Sequence, residues 1–112
     1  MLEEPQDAYG RNATMETSKM LTISTAHITE ETADVLNESV YGLRSGIDLC
    51  VYEKKDYGFF IHIPEDWEEK RNIPADLQAC VKLADVNGCI WLCLDRDAET
   101  VNRLPVYEWD GK

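Results

Sequence analysis

The stretch CIWLCLD, Cys89 to Asp95, is apolar at every position before its final aspartate. An extended chain points successive side chains to opposite faces, so neither face of this segment can be left in water. It suits a central strand, covered by helices on one side and by something else on the other. The rest of the sequence reads as the elements that such a strand requires.

Met20 to Thr25 is β-prone, and Ile28 to Val40 has helical spacing, with Ala33, Leu36, Val40 and Leu43 at steps of three and four. Gly42 and Gly46 close that helix. Ile47, Leu49 and Val51 then alternate with Asp48, Cys50 and Tyr52, the period of a strand with one buried face. Glu53 to Tyr57 and Gly58 supply a turn, and Phe59 to Ile63 completes a hairpin that Pro64 ends. After a polar excursion, EDWEEKRN, a second helix opens at Ile73 and Pro74, where proline loses nothing by lacking an N–H. Leu77, Cys80, Val81 and Ala84 form its buried stripe, and Asn87 and Gly88 stop it. Val106 to Trp109, following Pro105, reads as a short terminal strand at a sheet edge.

The order β-α-β-β-α-β predicts an α+β fold, a ferredoxin-like two-layer sandwich with an added C-terminal strand. The alternative is the same set of elements in another strand order, which periodicity does not rank. Residues 1–19 have few large apolar side chains and no sustained period, so they read as a flexible N-terminal arm before a single domain over 20–112.

Hydrophobic residues at 44% and charged residues at 29% are the proportions of a folded domain. No apolar run approaches the ~18 residues of a membrane span, and Met1 to Met20 lacks the basic and apolar parts of a signal peptide. A cytoplasmic protein without membrane contact is the expectation. Cys50, Cys80, Cys89 and Cys93 lie in apolar segments without a C-x-x-C, and read as reduced core thiols. On one extended strand Cys89 and Cys93 would stand about 13 Å apart, too far to share a zinc ion. No metal and no cofactor are expected.

Against 11 basic residues stand 22 acidic ones, a formal net charge of -11. Affinity for nucleic acid rests on Lys and Arg neutralising phosphates, so direct DNA or RNA binding is not expected. Part of the excess sits in a pattern. Glu30, Asp34 and Glu38 recur every four residues along the first helix, about 6 Å apart, and no Lys or Arg occurs between Met20 and Leu43. Such a row fits a protein partner with a basic surface. Trp67 and Trp109, near Tyr57 and Tyr107, are a second set of candidate binding residues, since aromatic side chains anchor interfaces.

LTISTAHITEET, Leu21 to Thr32, concentrates hydroxyls, carboxylates and an imidazole. Thr29, Glu30 and Glu31 are what a helix start requires, an oxygen for orphan N–H groups and carboxylates at the positive end of the dipole. His27 remains, and with Asp95 and Asp97 it is the candidate for a catalytic centre, each at the C-terminal end of a strand. There is no G-x-S-x-G elbow. In the ferredoxin-like order the first and fourth strands are antiparallel neighbours, which puts those ends at opposite edges.

LTISTAHITEET, YGFFIHIP, IPADL, CIWLCLDRD and LPVYEW together resemble a family of short proteins of unknown function found in bacteria, phages and other mobile elements. The resemblance spans Met20 to Trp109. It implies a stand-alone domain associated with mobile DNA and supplies no catalytic residues. The functional expectation is a small acidic, non-catalytic binding protein that inhibits a nucleic-acid-binding host defence protein by mimicking DNA charge. Two alternatives stand beside it: a small hydrolase or nuclease using His27 with Asp95 and Asp97, and a homodimer or larger homo-oligomer whose terminal strand pairs across a sheet edge.

Overall fold

The computed structural model describes residues 16–41 and 47–109. Its elements in chain order are β1 (Met20–Ile23), α1 (Glu30–Val40), β2 (Val51–Lys54), β3 (Gly58–His62), α2 (Ala75–Val86) and β4 (Trp91–Asp95), with single 3-10 turns at Thr25–His27 and Trp67–Glu69. This is a mixed α+β fold of one four-stranded sheet and two helices. Leu43 of the expected stripe, and Gly42 and Gly46, expected to close the first helix, lie outside the described residues, as do residues 1–15 of the expected arm.

The strands run in the order β1-β4-β3-β2, with β4 parallel to β1 and antiparallel to β3. This departs from the ferredoxin-like expectation, in which the last strand pairs antiparallel with the first. The interior place of β4 follows from CIWLCLD itself. Leu92, Cys93 and Leu94 are at most 2% exposed, and a strand apolar on both faces gains most with a neighbour on each side. Trp91 to Leu94 pairs with Met20 to Ile23 along one edge and with Phe59 to His62 along the other.

One face of the sheet carries both helices. Ile23, Phe59, Ile61, Leu92 and Leu94 meet Leu36 of α1 and Leu77, Cys80, Val81 and Ala84 of α2 in a single core cluster. The α2 stripe is the one its spacing predicts, each residue fully buried, and Gly88 (φ +78°) makes the left-handed stop. Ile47, Leu49 and Val51 pack against the same core, although the strand proper begins only at Val51 and runs on through Glu53 to Lys54. The hairpin turn is consequently tighter than expected, with Lys55 in the left-handed region at φ 48°.

The opposite face has no helix among the described residues. The register places Met20 and Thr22 of β1, Trp91 and Cys93 of β4, Phe60 and His62 of β3 and Tyr52 of β2 there. Trp91, expected in the core, is only partly buried, its ring 6.1 Å from that of Tyr52 and 5.2 Å from that of His62.

Val106 to Trp109 is no strand. Ser24 N–H donates to the Glu99 carbonyl, Tyr107 N–H to Ala26 and the Trp109 indole N–H to Ile28, so the last described residues lie along the connection between β1 and α1 and not along a sheet edge. That connection is a 3-10 turn, whose carbonyls do not form the regular row a strand needs.

Gly58 begins β3 where a Cβ would overlap the Leu94 carbonyl oxygen of the paired strand. Gly58→Ala is expected to cost at least about 3 kcal/mol in chemical denaturation, through lost β3-β4 pairing. The Cys80 thiol is pushed up to about 12 by burial, with Asp76 adding to it, whereas Cys50 is exposed. Iodoacetamide at about pH 8 should therefore modify Cys50 and spare Cys80 in the folded protein, read by peptide mass spectrometry.

Candidate functional site

The opening stretch resolves into a capped helix start. Thr29 Oγ1 accepts the Thr32 N–H at 3.2 Å, and Glu30 and Glu31 occupy the first turn of α1. A further carboxylate arrives from the other helix. Asp76 Oδ2 accepts the Thr29 N–H at 2.7 Å, and Asp76 Oδ1 accepts the Thr32 hydroxyl at 2.9 Å. Asp76, in the first turn of α2, thus caps α1 across the helix pair, a role no local sequence signal announces.

His27 is 1% exposed. Its Nε2 accepts the Val101 N–H at 2.9 Å, which leaves Nδ1 to donate to the Pro105 carbonyl at 2.7 Å. With β1 and β4 parallel, the ends of both strands do share one edge of the sheet, contrary to the expected topology. That removes the positional objection to pairing His27 with Asp95 and Asp97, yet the His27 ring and the Asp95 carboxylate are both engaged elsewhere. Both imidazole nitrogens are bound to backbone, so a base at this ring would first have to give up the Val101 bond. Asp95 Oδ1 accepts the Asp97 N–H at 2.8 Å and Oδ2 pairs with Lys54 at 3.4 Å. The Asp97 N–H, with Lys54 beside it, holds the Asp95 carboxyl below the usual range. Asp97 is exposed.

The carboxylates of α1 are arranged differently. Glu30, Asp34 and Glu38 are all exposed, as the four-residue spacing predicts, and Glu31 is exposed beside them. Tertiary structure adds Glu108: a shallow hollow at the start of α1 is lined by Thr29, Glu30, Glu31, Asp34 and Glu108. The approach of Glu108 follows from the bonds that lay its segment against Ala26 and Ile28. Beyond Asp34 the surface changes character, and a larger depression of about 380 Å³ brings in Lys55 and Arg96 with Glu53 and Asp56.

The two candidate tryptophans part company. Trp67 is 6% exposed and its indole N–H is donated to Asp85 at 3.1 Å, which makes it a core residue with little surface for a partner. Trp109 is partly buried against the core while lining the depression near Arg96. Tyr57 remains 44% exposed with the Arg96 guanidinium 4.9 Å from its ring centre. Among the described residues no group of three or more His, Cys, Asp or Glu side chains is placed to hold a metal ion, and no helix is long and apolar enough to cross a membrane.

A family profile, the C-terminal domain of a family of unknown function (DUF5983), matches residues 20–109, and the chain belongs to that family. No curated protein and no solved structure matches it.

His27→Ala removes an acceptor and a donor together, leaving the Val101 N–H and the Pro105 carbonyl without partners. A loss of about 3 kcal/mol is expected, with faster amide exchange concentrated in residues 99–109. Unchanged stability and protection would refute the clamping role.

Proposed function

We propose that this member of the DUF5983 family is an acidic, non-catalytic binding module, and that the carboxylate face of α1 engages a basic groove on another protein. The supporting observation is the exposed row Glu30, Asp34 and Glu38, extended by Glu31 and Glu108. Folding alone gives no reason for the whole row. The helix dipole favours Glu30 and Glu31 at the N-terminus, but it disfavours Glu38 near the other end, where the last turn has no basic residue. Like charges four apart cost a few tenths of a kcal/mol each.

Rigidity supports the same reading. Thr29 and Asp76 cap α1, while Ala33 and Leu36 anchor its inner side, so the carboxylates are presented on a fixed element. Their spacing of about 6 Å is of the order of the distance between phosphates, and a groove that binds nucleic acid through Lys and Arg has the complementary chemistry. An origin in phages or mobile elements, and inhibition of a host nucleic-acid-binding protein, belong to this proposal. The occupied nitrogens of His27 weigh against acid-base work at that ring.

Two variants of equal charge change test it: Glu30→Gln/Asp34→Asn/Glu38→Gln on α1, and Glu65→Gln/Glu68→Gln/Glu69→Gln elsewhere on the exposed surface. Wild type and the second variant should retain a bacterial partner that duplex DNA, or about 0.5 M salt, displaces; the α1 variant should bind at least tenfold more weakly. Equal behaviour of the two variants, or retention indifferent to salt, would count against the α1 face.

A further inference from the structure

We propose that the sheet face opposite α1 and α2 pairs two copies of this chain, reversibly and face to face. Met20, Tyr52, Phe60 and Trp91 border a shallow, open hollow of about 290 Å³ on this face. Met20 is 44% exposed and Tyr52 54%. Apolar and aromatic side chains gathered on one sheet face are the surface that sheet-on-sheet packing buries.

Charge selects the occupant. The strands place one cation and one anion on this face, Lys54 and Asp95, and these pair with each other at 3.4 Å. The Lys54 ammonium also lies 5.7 Å from the centre of the Phe60 ring. Among the described residues of these strands, a basic partner finds no unpaired carboxylate on this face. Single-stranded nucleic acid could stack on the rings, but among the described residues the strands place no Lys or Arg on this face besides the paired Lys54 to meet phosphates. A second copy meets neither obstacle. In a chain of net charge -11, two molecules repel through most of their surfaces, and a face whose own charges cancel is where they approach at least cost. The α1 carboxylates lie across the sheet from it and would point outward from such a pair, still open to the partner proposed above.

The size of the face sets the strength. Four strands of four or five residues cover about 300 Å² of flat sheet per copy, against the ~800 Å² per partner of a standard stable interface. Side-chain relief adds to that without closing the gap. The pair is therefore a weak one.

Sedimentation equilibrium from about 10 µM to about 1 mM, the span in which a small interface is expected to associate, tests the proposal. The mass should rise from monomer towards dimer with concentration. It should rise further as salt goes from about 0.05 to about 0.5 M, because screening relieves like-charge repulsion. Binding through the α1 carboxylates has the opposite salt dependence, so either idea can fail without the other. Tyr52→Glu, at an exposed position, should weaken association at least tenfold while the circular dichroism is unchanged; Met20→Glu is the second variant should the first misfold. A monomer at every concentration and salt, association indifferent to both substitutions, or a monomer that instead binds a single-stranded oligonucleotide through Tyr52 and Trp91, would overturn the inference.

Discussion

The two-sided burial of β4 is the constraint from which the remaining arrangement follows. Leu92 and Leu94 face the helices, while Cys93, on the other side, is nearly as enclosed. Such a strand is best flanked on both edges, and here β1 lies alongside it in parallel while the β2-β3 hairpin closes the other edge. The parallel pairing has a further effect. It brings the end of β1 and the end of β4 to one edge of the sheet, where the chain leaving β4 can return across the chain leaving β1.

His27 organises that return. Glu99, Val101, Pro105, Tyr107 and Trp109 all bond to residues between Ser24 and Ile28, and the imidazole makes two of those bonds itself. A buried polar ring is costly unless both nitrogens are satisfied, and here backbone groups satisfy both. The same crossing carries Glu108 to the start of α1 and Trp109 against the core. A structural histidine therefore shapes the acidic surface without belonging to it.

The molecule has two unlike exposed faces. Carboxylates gather on α1, outside the helix layer, and exposed or partly buried rings gather on the other side of the sheet, which also carries the closed Lys54–Asp95 pair. This separation follows from the layer architecture, since among the described residues the helices cover one face of the sheet only. Potential at one surface and apolar area at the other serve different kinds of contact, the first dependent on ionic strength and the second on buried area.

Periodicity determined the local elements: the α2 stripe, the hairpin, the Thr29 cap, the exposed row Glu30, Asp34 and Glu38, and the demand that CIWLCLD sit inside a sheet. Each is a statement about residues within one turn or one strand of one another, where side-chain direction is set by the backbone period. Strand order, the Asp76 cap on α1, the two hydrogen bonds of the His27 ring, the burial of Trp67 and the arrival of Glu108 were decided only in three dimensions. All of them join residues tens of positions apart, and no local period carries that information. The apolar character of Cys89 to Leu94 already argued for a central strand, but which strand would flank it, and in which direction, depended on the packing of the whole domain.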